Sequence, residues 1–81
     1  MKTEEIRIRI YSIIEGLKSV YCDELVTDNS NLREELGLES LDFIDLVLQA
    51  ETFFSIKIKP EEAAKVVLVS DLIKLIQQKL N

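Results

Sequence analysis

The side chain with the clearest chemical use is Ser40, in the segment Leu36-Gly37-Leu38-Glu39-Ser40-Leu41-Asp42. There a glycine turn runs into an apolar, acidic helix. A serine hydroxyl in that position can cap the helix, or it can take a covalent group at the mouth of a helical bundle. Catalysis by the serine would need a base beside it. The chain has no histidine and one cysteine, and no lysine or carboxylate stands at a recognisable catalytic spacing from Ser40. It also lacks a glycine-rich loop. Cys22 stands alone, so it forms no disulfide framework and reads as a small half-buried hydrophobe in a reducing compartment. Asp23, Glu24 and Asp28 form no EF-hand loop, and no metal site is expected. The residues predict no enzyme. A serine that carries another protein's chemistry fits them better than one that performs its own.

The elements that must position Ser40 follow from hydrophobic periodicity. Ile6, Ile10, Ile13, Ile14, Leu17 and Val20 recur at three- and four-residue steps, which predicts a helix over residues 3–21, with Thr3 as N-cap and Glu4 and Glu5 complementing its dipole. A connection over residues 22–39 follows, longer than most loops of small domains and therefore a candidate for function. Leu25, Val26, Leu32, Leu36 and Leu38 are expected to pin it. Asn31 and Glu34 are spaced as a capping box for one short turn, which Gly37 would end in the left-handed conformation. Residues 40–54 predict the second helix, with Ser40 as N-cap and Asp42 in its first turn. Nine of those fifteen residues are apolar, more than the three or four per two turns that a surface helix needs. Either the helix is nearly engulfed, or its surplus apolar residues meet a ligand or partner. Residues 55–59 are extended or irregular. Pro60 opens a short helix, and Ser70-Asp71 caps the last one. No strand signal is convincing. The fold class expected is all-α: a small antiparallel four-helix bundle of three main helices plus a short third helix.

Length and charge bound the rest. The 81 residues make a single domain over 1–81, which buries roughly 60% of its unfolded surface and has no room for a large enzyme cleft. Net charge is −5, and the middle third holds all of it. Residues 21–54 carry nine acids against Arg33 alone. That pattern argues against nucleic acid and for a basic protein partner, although a solvated surface would show it too. No apolar run approaches signal-peptide or membrane-span length, so a cytoplasmic monomer without membrane insertion is expected.

The segment Leu36-Gly37-Leu38-Glu39-Ser40-Leu41-Asp42-Phe43-Ile44-Asp45-Leu46-Val47 resembles the prosthetic-group attachment segment of acyl carrier proteins. The likeness continues through Glu51, Phe54, Ile56, Ile58, Glu61, Glu62, Ala63 and Val69, and so spans essentially the whole chain. The resemblance implies that Ser40, flanked by Glu39 and Leu41, is esterified by 4′-phosphopantetheine taken from coenzyme A. The thiol of that arm would carry acyl groups as thioesters in fatty-acid, polyketide or related lipid biosynthesis. It implies as partners a phosphopantetheinyl transferase and acyl-transferring and condensing enzymes with basic docking patches. Asp42, Phe43, Asp45, Gln49 and Glu51 would then form the docking surface. Ile44, Leu48, Phe54, Ile56, Val66 and Leu72 would line an acyl-chain cavity made from the core.

Several residues depart from the family's pattern. Glu39 stands where an aspartate is usual. Phe43 is larger than the common residue and, if exposed, would be a contact for a particular partner. Gln49, Thr52 and Lys57 dilute the acidic surface. Together these departures suggest a carrier dedicated to a specialised pathway. Aminoacyl and peptidyl carriers are the alternative within the fold, and many of them show a histidine and glycines before the serine that this chain lacks. Outside it, the alternative is an unmodified interaction module in which Ser40 is only an N-cap.

Overall fold

The structure, a computed structural model, describes residues 1–19 and 21–81; Val20, expected on the apolar stripe of the first helix, lies outside them. Four helices follow in order: α1 (Thr3–Leu17), α2 (Ser40–Phe54), the single turn α3 (Pro60–Ala63) and α4 (Val69–Leu80). No strand occurs among the described residues. The one extended pairing is an isolated antiparallel bridge between Asn31 and Leu68. No helix is long and apolar enough to cross a membrane.

The core sits where α1 packs against both α2 and α4. Ile6, Ile10, Ile13 and Ile14 face it from α1, Phe43, Leu46, Val47, Ala50 and Phe54 from α2, and Val69, Leu72, Ile73 and Ile76 from α4. Each set follows the three- and four-residue steps of one helical face. α1 stops at Leu17 instead of reaching residue 21. Lys18 is already extended at φ −60 and ψ 145, and Tyr21, the next aromatic in register, is 90% exposed. With no core surface to cover there, the chain turns back, and Lys18 reaches both Glu15 and the carbonyl of Glu24.

All four helices begin in the same way. A carboxylate at the third helical position accepts a hydrogen bond from the backbone amide of the residue before the helix: Glu5 from Lys2 (3.3 Å), Asp42 from Glu39 (3.2 Å), Glu62 from Lys59 (2.9 Å) and Asp71 from Leu68 (2.9 Å). This is the returning half of a capping box. The sequence reading expected hydroxyl caps at Thr3, Ser40 and Ser70, and the structure corrects all three. Lys2, Glu39 and Leu68 occupy the cap positions. Thr3 instead donates its hydroxyl to Gln77 at 2.8 Å, joining the ends of α1 and α4.

The long connection between α1 and α2 is held at three places. Leu32, Leu36 and Leu38 are buried in the core, whereas Leu25, expected to help, is 81% exposed. Asp28 accepts a bidentate pair of hydrogen bonds from the Arg7 guanidinium, at 3.0 Å from Nε and 3.0 Å from Nη2, and a further bond from the Tyr11 hydroxyl. These bonds hold the Asp28 carboxyl below its usual range, Arg7 first and Tyr11 next, while burial and the bond to Asp28 push the Tyr11 phenol up. The backbone closes the third attachment: Leu32 N–H donates to Val67 O, Val69 N–H to Ser30 O and Ser70 N–H to Asp28 O.

Candidate functional site

The approach to α2 is built from the connection upward. Asn31 Oδ1 accepts the amides of Arg33 and Glu34 at 3.0 and 2.9 Å, which starts a tight turn. The reciprocal bond runs from Asn31 N–H to Glu35, one residue beyond the Glu34 expected from spacing. Gly37 ends the turn at φ +68, the left-handed region in which a glycine is free of steric cost. Leu36 and Leu38 flank it as buried anchors, and Leu38 N–H donates to Leu32 O at 3.0 Å. A pinned leucine on each side of one glycine fixes where the chain re-emerges, and it re-emerges at Glu39 and Ser40, both exposed.

Ser40 is the first residue of α2, and its side chain has no hydrogen-bond partner among the described residues. The first intrahelical bond of α2 runs from Phe43 N–H to Glu39 O, at 2.9 Å. The amides of Ser40 and Leu41 therefore precede the ladder and point out of the helix end, where the helix dipole favours negative charge. The result is a free primary hydroxyl beside an anion-compatible terminus.

Beyond Ser40, α2 has two apolar faces. Phe43, Leu46, Val47, Ala50 and Phe54 enter the core. Leu41, Ile44 and Leu48 form a second stripe at three- and four-residue steps, respectively 79, 53 and 55% exposed. The helix is not engulfed, and its surplus apolar residues stand in solvent, each about one turn from the next, on the stretch that Ser40 begins. Asp45 and Gln49 lie on this outward side, joined by a 3.0 Å hydrogen bond.

Other expected site residues are placed differently. Phe43 is 7% exposed, so it is no exposed aromatic contact: it falls in register with Leu46 and Val47 on the core face, and Arg33 lies over its ring at 5.4 Å. Asp42 is half-buried and spends its carboxylate on the Glu39 amide. Glu51 accepts Ile58 N–H at 2.8 Å, which ties α2 to the segment after it. The six residues expected to line one acyl cavity do not meet in one. Phe54 and Leu72 are packed into the core, and Ile44 faces solvent. Leu48 and Ile56 share a surface groove near Lys57, while Val66 borders a separate cleft beside Phe43. The cause is angular: at 3.6 residues per turn, Ile44 and Leu48 are rotated by roughly 80–140° around α2 from Phe43 and Phe54, which takes them off the core face. The Asn31–Glu35 bond and the Arg33–Phe43 contact had no signal in the residue pattern, since both depend on how the turn folds back.

Known proteins agree with this arrangement over nearly its whole length. The family described as "Phosphopantetheine attachment site" matches residues 12–80. An acyl carrier protein of Prochlorococcus marinus is 38% identical over 79 residues, covering 98% of both chains. One from Thermotoga maritima is 35% identical over 78 residues, covering 96% of this chain and 95% of its own. A crystal structure of an acyl carrier protein from Thermotoga maritima superposes with a TM-score of 0.80 at 30% identity, covering 99% of this chain and 92% of that one. The chain belongs to the acyl carrier protein family, whose domain bears 4′-phosphopantetheine.

Proposed function

We propose that Ser40 is the residue that receives 4′-phosphopantetheine, and that the chain serves as a carrier, not a catalyst. The observation that carries this reading is the state of the Ser40 hydroxyl: exposed, at the first position of α2, and committed to no bond. In the loading step its oxygen would bond to the phosphorus of the phosphopantetheinyl half of coenzyme A. The pyrophosphate P–O bond breaks, the nucleotide half leaves, and the hydroxyl proton passes to a base of the transferase. The group suits the site. Its phosphodiester would rest by the leading amides of α2, and no packed side chain has to move to admit it. When bound, the arm supplies a thiol for thioester formation.

The partner surface follows as part of the same reading. Leu41, Ile44, Asp45, Leu48 and Gln49 would form the outward face that a basic enzyme reads, with the charge steering encounter and the leucines supplying contact area. A phosphopantetheinyl transferase and acyl-transferring enzymes are the partners this face suits. The Glu39 carboxylate, exposed at the cap position, would bear on recognition by the transferase.

A thiol count tests the carrier role. The chain has a single native thiol, at Cys22. After incubation with coenzyme A and a broad-specificity transferase, the denatured protein should titrate two thiols, and the new one should form a hydroxylamine-labile acyl thioester. A count that stays at one would leave an interaction module as the better reading.

A further inference from the structure

The outer face of α1 and α2, away from the Ser40 end, carries apolar surface that the core does not use. Met1, Ile8, Leu48 and Phe53 are 47–63% exposed. They border two adjoining grooves of about 360 and 340 Å³ that lie across the two helices and share Arg9 and Phe53. Single exposed apolar side chains are ordinary, whereas a contiguous patch with a polar rim marks a protein contact. Phe53 is a fixed knob at the centre of this one. Its ring meets Phe54 edge-on at 4.9 Å, and the Arg9 guanidinium lies against it at 3.9 Å. The rim carries both signs of charge. Arg9 stands on the α1 edge, and Asp45, one turn before Gln49, stands on the α2 edge. Glu5, also on the α1 edge, already accepts the Lys2 amide.

We infer that this face receives the same face of a second copy of this chain, in a weak two-fold pair. A patch meets itself in such a contact, so its charges must match their own image. With the two-fold axis along the helices, the α1 edge of each copy lies over the α2 edge of the other. Arg9 then faces Asp45 of the partner subunit, and Phe53 faces Ile8 of the partner subunit. The opposite orientation would set the two Asp45 edges against each other, and like charges disfavour it. Residues 1–20 hold four bases against three acids, whereas 21–54 hold nine acids against one base. The exchange of edges therefore also follows the charge of the chain at large. The net charge of −5 on each copy opposes the pair, and the patch covers one side of a molecule measuring 36 × 25 × 19 Å. Both keep the contact weaker than a permanent dimer, and the monomer expected from the sequence is its dilute state. Ser40 stays uncovered, since roughly 20 Å of α2 separate it from Phe53. Asp45 and Leu48 belong also to the face proposed above for partner enzymes, so a docking enzyme would release the pair.

Sedimentation velocity on the full chain, from micromolar to millimolar concentration, tests the pair without any partner or cargo. The mass should rise from one chain toward two, and not beyond. Phe53→Ser should weaken the pairing about tenfold or more. Arg9→Glu and Asp45→Arg should each weaken it about tenfold, and both in one chain should restore it, because the swap re-forms the contact between opposite charges. Circular dichroism verifies that each variant folds, and the charge swap keeps the test decisive if Phe53→Ser does not. In a mixture of isotope-labelled and unlabelled chains, NMR magnetisation should pass from the Phe53 ring of one copy to the Ile8 methyl groups of the other. A one-chain mass at every concentration would overturn the inference and leave the face to a different protein or to solvent. So would a dimer that Phe53→Ser, Arg9→Glu and Asp45→Arg all leave unchanged, which would place the contact elsewhere.

Discussion

Substituting Ser40 and Asp42 separates what the start of α2 does for stability from what it does for chemistry. A serine at a true N-cap stabilises a helix by about 1 kcal/mol over alanine. Ser40 is instead the first helical residue, exposed and without a side-chain hydrogen bond. Alanine is the better helix former there, so Ser40→Ala should change stability by no more than about 0.5 kcal/mol. In a domain of this size that is a shift of at most about 2–4 °C in Tm. Asp42 carries the capping load, accepting the Glu39 amide at 3.2 Å and sitting where the dipole favours an anion. Asp42→Ala should therefore cost about 1 kcal/mol, a drop of about 4–8 °C. Thermal unfolding by circular dichroism reads both variants under identical conditions. A loss of about 1 kcal/mol or more in Ser40→Ala, with Asp42→Ala unchanged, would refute the placement of the cap at Glu39.

Phe43→Ala should destabilise the fold by about 3–5 kcal/mol, as expected for a buried aromatic, measured by urea denaturation; a change below about 0.5 kcal/mol would mean an exposed side chain. Acidification should destabilise the protein through Asp28, Glu62 and Asp71, whose carboxyls are held below their usual values by, respectively, Arg7, Lys79 and the Leu68 amide. A group whose pKa is lower when folded binds more protons when unfolded, so this stability is present above about pH 4.5 and is lost as pH falls through the folded values. Asp28→Asn should flatten that acid dependence in a Tm-versus-pH series, and an unchanged slope would remove Asp28 from the account. Asp45→Lys should slow association with a partner enzyme at low salt by stopped-flow and weaken the salt dependence; equal rates would place the docking face elsewhere.

The residue pattern disclosed the helices and concealed their edges. The apolar steps of α1, α2 and α4 are properties of single segments, and so is the left-handed turn at Gly37, which only glycine adopts without cost. Caps were harder to read. A hydroxyl and the acid near it can each satisfy the same helix end, and backbone geometry gave that task to Glu5, Asp42, Glu62 and Asp71. Phe43 shows a second limit. It lies only three residues from an exposed serine, and only the rotation of α2 against α1 decides that it points inward. The same rotation parts Ile44 and Leu48 from Phe54. Asp28 read as one more acid in an acidic third, and its bonds to Arg7 and Tyr11 span 21 and 17 residues of sequence, beyond any local signal. The prominence of Ser40 needed no tertiary information, because Gly37, Glu39, Ser40 and Leu41 fall within five consecutive residues.

The most direct test of the central claim is to locate the added group. The protein would be incubated with coenzyme A and a phosphopantetheinyl transferase, digested, and sequenced by tandem mass spectrometry, with Ser40→Ala alongside. The account predicts one phosphopantetheine per chain, on the peptide that contains Ser40 and on Ser40 itself, with none on the variant. Modification of any other residue, or loading that survives Ser40→Ala, would contradict it.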